Sequence, residues 1–242
     1  MIGSEDQFIS GIFNYCDRWC ERCDFTARCR VYADERSHLD EDSIDPIGDT
    51  LIVLAESFAE TKRLLLEKAD EMGIDHEAAM SDPEIEASMQ RSKEAVGSEE
   101  ACKLAIQYSL ETRSLLENPE TWVDEADNEH LVSETLEIIG YYLFSVAVKV
   151  QSSFSAALDI DGYDDPDEIS NTQSYANGTA KITLIIIERS ILSWTYLINE
   201  KNAGVIAPVI ERLEKIRKLL EIKFPNARDF IRPGFDEIEM IM

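Results

Sequence analysis

Basic residues are scarce in this chain of 242. Its 23 lysines and arginines stand against 49 aspartates and glutamates, a formal net charge of −26. Phosphate binding depends on lysine and arginine releasing counterions, so the deficit argues against nucleic acid and anionic membrane as partners. Histidine is scarcer still, at three residues. A di-iron carboxylate site in a bundle needs two Glu-x-x-His pairs and two further inward glutamates. Only Glu35-Arg-Ser-His38 has that spacing, while His76 and His130 have no matching glutamate. There is no glycine-rich phosphate loop, no Gly-x-Ser-x-Gly elbow and no zinc-protease motif. No run of about 18 apolar residues occurs, so no membrane span is expected. The start, Met-Ile-Gly-Ser-Glu-Asp-Gln, has no basic region followed by an apolar core, which points to a cytoplasmic protein. The acidic run Asp159 to Glu168 lacks the ligand spacing of an EF-hand and reads as a solvated turn.

Cysteine is also sparse, at five residues, but four of them are crowded together as Cys16-Asp-Arg-Trp-Cys20-Glu-Arg-Cys23-Asp-Phe-Thr-Ala-Arg-Cys29. Such crowding needs a chemical reason: a metal or iron–sulfur centre, or redox-active thiols. An odd cysteine count without an export signal makes a disulfide framework the weakest reading. If a helix beginning near Asp6 continues, the i, i+4, i+7 spacing puts Cys16, Cys20 and Cys23 on one face. The outer two are then about 10 Å apart along the axis. A single zinc, with Zn–S near ~2.3 Å, cannot bridge that gap unless the helix breaks. A 4Fe-4S cluster tolerates wider spacing and is the preferred cofactor, with Zn2+ the alternative. Arg18, Arg22, Arg28, Arg30 and Arg36 offset Asp17, Glu21, Asp24, Asp34 and Glu35, which lowers the cost of gathering thiolates there. Trp19, Phe25 and Tyr32 are placed to shield such a centre. Cys102, in an amphipathic segment, is expected to be a core thiol.

The segment Cys20-Glu-Arg-Cys23-Asp-Phe-Thr-Ala-Arg-Cys29-Arg-Val-Tyr32 resembles the iron–sulfur loop of helix-hairpin-helix DNA glycosylases and recombination exonucleases. Asp24 stands where that loop commonly has proline, and the first gap is three residues. The resemblance implies a 4Fe-4S cluster on Cys16, Cys20, Cys23 and Cys29; the glycosylase hairpin and catalytic residues are not recognisable. More broadly, Tyr15 to Cys23, Gly178 to Leu184 and Glu188 to Trp194 resemble an uncharacterised family of bacterial all-helical proteins, which brings no activity with it.

The rest of the chain has helical periodicity. Asp45-Pro46 starts a helix in which Ile47, Leu51, Leu54, Ala55, Phe58, Leu65, Ala69 and Met72 follow i, i+3, i+4 spacing until Gly73. Ser81-Asp82-Pro83 starts another, and Ser98 restarts the pattern up to Pro119. A long helix runs from about Glu129 to Leu158. The β-branched run Ile185-Ile186-Ile187, in the most apolar stretch, reads as buried helix because it has no strand partners. The fold expected is all-α, a multi-helix bundle with an N-terminal cysteine-rich helical appendage. Residues 1–44 form the metal-binding segment, 45–230 the bundle and 231–242 a tail. Glu137, Tyr141 and Lys149 on one apolar helix and Lys181 and Glu188 on another either edge the helix faces or line a polar pocket, with Lys181 and Glu188 as a buried pair. The apolar run Ile182 to Ile198 suggests a homodimer. The function expected is a metal-stapled, non-catalytic interaction protein with a protein partner, the alternative being an iron–sulfur redox enzyme or electron carrier.

Overall fold

A computed structural model describes residues 7–37, 46–75, 78, 81–123, 129–159 and 162–236. Asp6, His38, Asp45, His76 and the loop 124–128 lie outside the described residues, as do the last six residues of the expected tail. The described part holds eight α-helices and no strand, and its architecture is an all-α multi-helix bundle. The chain divides into two compact units, 1–89 and 90–242.

The first unit begins with three one-turn 3-10 helices, Ile12–Tyr15, Cys20–Arg22 and Thr26–Arg28. They lead into α1 (Arg30–Ser37). The long α2 (Pro46–Glu71) follows and is closed by Gly73 at φ +68, the left-handed conformation that glycine adopts without strain. α3 (Pro83–Ser98) contains the boundary between the units.

The second unit is built on α4 (Glu100–Leu116), α5 (Glu129–Ala156), α7 (Tyr175–Leu197) and α8 (Ala203–Lys223), with a short α6 (Pro166–Ser170) between α5 and α7. α5 packs on α4 and α7, and α8 packs on the same two, so the four long helices close a ring. Cross-links give their directions. Tyr142 meets Arg189 at one level and Ser153 meets Thr183 at another, so α5 and α7 are antiparallel. Ion pairs of Glu111 with Arg212 and of Glu100 with Lys215 make α4 and α8 antiparallel too.

The core follows from helical spacing. α5 buries Ile139, Tyr142, Val146, Val150 and Phe154; α8 buries Ile206, Val209, Leu213, Ile216 and Leu220. Ile186 and Ile187 are fully buried on α7, so the β-branched run is helical, its propensity overruled by burial on more than one side. The run Ile182 to Ile198 is thus satisfied largely within one chain.

Polar side chains pin the connections. Asn202, almost wholly buried, donates to the carbonyls of Trp122 (3.1 Å) and Leu197 (2.9 Å) and accepts from the Asn199 N–H (2.7 Å). The acidic loop is occupied in the same way. The Asp165 side chain caps α6, Glu168 accepts from the Ala176 N–H at the start of α7, and Asp164 pairs with Lys223. Gly162, at φ +82, lies where a Cβ would come 3.1 Å from the Ser92 backbone nitrogen, so only glycine fits. One helix, His130–Ala156, is long and apolar enough to cross a membrane by length and composition. In this fold it is the bundle helix α5.

Candidate metal centre

The cysteine segment is not one helix. Where a continuous helix was expected to carry Cys16, Cys20 and Cys23 on one face, the chain breaks between the first two. Cys16 is extended, and Arg18 takes a left-handed backbone at φ 64. That conformation costs a non-glycine residue roughly 1–2 kcal/mol, so something in the segment must hold it. The physical reason for the correction is local. On one helix Ile12 and Trp19, seven residues apart, would lie on the same face as the cysteines, whereas the broken chain turns away from that face and buries both.

In its place is a repeated unit: a single 3-10 turn ending on a cysteine in extended conformation. Tyr15 runs into Cys16 (φ −111, ψ 167), Arg22 into Cys23 (φ −97, ψ 125) and Arg28 into Cys29 (φ −106, ψ 115). Cys20 opens the middle turn, and the Cys23 N–H donates to its carbonyl at 3.2 Å. The Ile9 N–H donates to the Arg28 carbonyl at 3.0 Å, which brings the beginning of the segment back onto its third turn. The stretch from Ile9 to Arg28 is thus folded into a closed loop rather than a rod about 30 Å long.

The four thiols are half-buried, and none is in a disulfide. Burial raises the Cys20 thiol pKa, and Glu35, Cys16, Cys23 and Cys29 raise it further, so all three other thiols lie within charge range of Cys20. The Phe25 N–H donates to the Cys23 sulfur at 3.4 Å. Around them, Arg22 stacks on the buried Trp19 ring at 4.2 Å, and Arg18 reaches Glu35 at 3.9 Å. Phe25 and Tyr32 are partly exposed. Among the described residues, no group of three or more His, Cys, Asp or Glu side chains is disposed to hold a metal ion as it stands. The donor set suits a soft metal by its chemistry, four sulfurs with arginines nearby, but the sulfurs are not drawn to the spacing of one ion's ligands.

Cys102 is apart from this group, buried on α4, where burial and the charge of Glu99 push its thiol up to about 12.

Of the polar residues singled out on the bundle helices, Lys181 and Glu188 each meet a partner from the segment 228–236. Glu137 is exposed and Tyr141 half-buried, its ring edge-on to Tyr142 at 5.3 Å. The Lys149 carbonyl accepts the hydroxyls of Ser153 and Thr183. Lys181 pairs with Asp236 at 2.7 Å, and Glu188 pairs with Arg228 at 2.6 Å. Lys181 and Glu188 are therefore held by different partners rather than by each other. At i, i+7 they are about 10 Å apart along the axis, and cations and anions of the segment 228–236 lie closer to each. Sequence reasoning missed this C-terminal clasp; Arg232 and Asp236, flanking Pro233-Gly234, were its only signal.

Comparison with family models, with curated proteins and with solved structures finds no match for this chain.

Proposed function

We propose that Cys16, Cys20, Cys23 and Cys29 bind one metal centre that staples the N-terminal segment of a non-catalytic helical interaction protein. The observation that carries this reading is the turn-plus-cysteine unit repeated three times, with Cys20 in charge range of the other three thiols. Four thiols presented from short turns, beside an arginine held in a left-handed conformation, are more than a small hydrophobic cluster requires.

A 4Fe-4S cluster is the centre favoured. Zinc draws its four sulfurs to roughly 3.8 Å of one another, given Zn–S near 2.3 Å and tetrahedral angles. A 4Fe-4S cube takes sulfurs set more widely apart than one ion does, and the cysteines are not gathered to one ion's spacing. The loss of the straight helix removes the geometric objection to zinc, which stays the alternative. The reading as an interaction protein rests on the described bundle: its buried polar groups tie loops and helices together, and its acidic loop side chains serve as caps and ion pairs. A redox enzyme or electron carrier requires the cluster to cycle. Reduction of anaerobically purified protein followed by electron paramagnetic resonance tests it. A reversible cluster signal supports the redox reading, and a colourless zinc protein removes it.

A further inference from the structure

Of the three turn-plus-cysteine units, the middle one alone has a cysteine at both ends. Ile12–Tyr15 and Thr26–Arg28 open on isoleucine and threonine, whereas Cys20–Arg22 opens on Cys20 and runs into Cys23. The Cys23 N–H donates to the Cys20 carbonyl at 3.2 Å, which closes a four-residue turn on the two cysteines. Their neighbours in the series are turned elsewhere. The Cys20 N–H goes to the Arg18 carbonyl at 2.9 Å, and the Cys29 N–H to the Thr26 carbonyl at 3.2 Å. A turn with this bond holds its end Cα atoms within about 7 Å, and three residues of 3-10 rise span about 6 Å. A disulfide needs Cα atoms about 4.4–6.8 Å apart, so the backbone of the middle turn already meets that requirement. Side chains three apart on such a turn also eclipse, which sets the two thiols on the same side of it. Both thiols are half-buried, and Glu21, Arg22 and Asp24 beside them are exposed, so a small reagent reaches the pair.

We infer that Cys20 and Cys23 form a reversible dithiol–disulfide site whose oxidant is a small-molecule disulfide, and that closing it takes two of the four ligands from the metal centre. The second half rests on the metal reading, while the first stands on the turn alone. The step is two thiol–disulfide exchanges. One cysteine thiolate attacks the small disulfide, R–S–S–R, forming a protein–S–S–R mixed disulfide and releasing one R–S−. The other thiolate attacks the protein sulfur of that mixed disulfide, closes Cys20–Cys23 and releases the second R–S−. The two thiol protons pass to the two leaving thiolates, and two electrons pass from the protein dithiol to the small disulfide. An excess of small thiol reverses both exchanges. Metal ligation needs thiolates, and a disulfide sulfur is not one, so ligation and closure exclude each other at this pair. Cys16 and Cys29 alone do not make a four-sulfur centre. The centre is thereby a staple that an oxidising thiol pool unfastens. Cys102, 1% exposed on α4, is out of reach of the same reagent.

The test equilibrates the purified full chain under nitrogen with oxidised and reduced glutathione at graded ratios. Samples are quenched in acid, their free thiols alkylated, and their tryptic peptides weighed by mass spectrometry, with metal content measured in parallel. Trypsin cuts after Arg18, Arg22 and Arg28, so each of the four cysteines falls on its own peptide and the pairing reads directly. The expected result is Trp19–Arg22 joined to Cys23–Arg28 as the main linkage, metal lost in step with it, and free thiols recovered on dithiothreitol. Half-closure should need about tenfold less oxidised glutathione in native protein than in urea, because the folded turn holds the thiols together. Cys29→Ser should leave the linkage in place, and Cys23→Ser should replace it by a glutathione adduct on Cys20. The same linkage in a protein that holds neither iron nor zinc supports the dithiol site and defeats the metal reading instead. Another pairing as the main product, glutathione adducts without closure, or a linkage formed as readily in urea overturns the dithiol site. A Cys20–Cys23 linkage with metal fully retained overturns the second half.

Discussion

Lys181 and Asp236 meet at 2.7 Å with both side chains mostly buried, tying the end of the described chain to the second turn of α7. Lys181 also donates to the Phe230 carbonyl, and Arg232 binds both oxygens of the Asp236 carboxylate, at 2.9 and 3.1 Å. Burial opposes ionisation of Asp236. The hydrogen bonds from Arg232 and Lys181 and the charge of Arg232 outweigh it and hold the carboxyl well below the usual carboxylate range.

A pH dependence follows, with its sign fixed by the direction of that shift. A carboxylate depressed in the native state contributes stability above its unfolded value, near about 4, and loses it as pH falls towards the native value. Asp236→Asn should therefore cost about 1–3 kcal/mol near neutrality, and the gap to wild type should close in acid. Urea unfolding of both proteins at neutral and acid pH measures it. A gap that widens on acidification contradicts the assignment.

Much of the bundle was legible in the sequence because its signals are local. Pro46 starts a helix and Gly73 closes it, Pro83 starts another, and the spacing of Ile206 to Leu220 marks a core face. Pro208 lies inside α8, within its second turn. The cysteine segment was misread because i, i+4, i+7 spacing is consistent with a helix and nothing in the sequence marks Arg18 as left-handed. The clasp on Lys181 was illegible for another reason: it joins residues 55 apart in the chain, and periodicity within one helix carries no information about such a partner.

Inside the bundle, the Trp194 indole N–H donates to the Tyr108 hydroxyl at 3.3 Å, and burial raises the Tyr108 pKa. Tyr108→Phe removes that acceptor and leaves a buried N–H to be satisfied elsewhere, at a cost of about 1–3 kcal/mol. Thermal unfolding followed by near-ultraviolet circular dichroism should show a lower midpoint with an unchanged far-ultraviolet spectrum. An unaltered midpoint would mean that Trp194 finds another acceptor.

Asn202→Ala removes three hydrogen bonds that hold the α7–α8 turn against the Trp122 backbone. The expected loss is about 2–4 kcal/mol, larger than for an exposed turn residue because the carbonyls of Trp122 and Leu197 lose a buried donor. Native-state hydrogen exchange should show the loss concentrated at residues 198–203. Uniform protection there would contradict the pinning role.

The five cysteines should separate by reactivity. Cys102, buried with its thiol pushed up to about 12, should resist iodoacetamide in native protein at mildly alkaline pH and react only after denaturation. Treatment with a strong chelator under reducing conditions should expose Cys16, Cys20, Cys23 and Cys29 first. Peptide mass spectrometry gives the order, and early labelling of Cys102 would contradict the packing of α4.

The central claim is that four cysteines hold one centre, and its most direct measurement is elemental analysis by mass spectrometry on protein kept reduced and anaerobic. The account predicts iron with matching acid-labile sulfide, or zinc in the alternative, at near-stoichiometric level. Each of Cys16→Ser, Cys20→Ser, Cys23→Ser and Cys29→Ser should release it and loosen the N-terminal segment, because metal-binding free energy is also folding free energy. Cys102→Ser should leave the content unchanged. Native protein with neither iron nor zinc, or a content indifferent to all four substitutions, would contradict it.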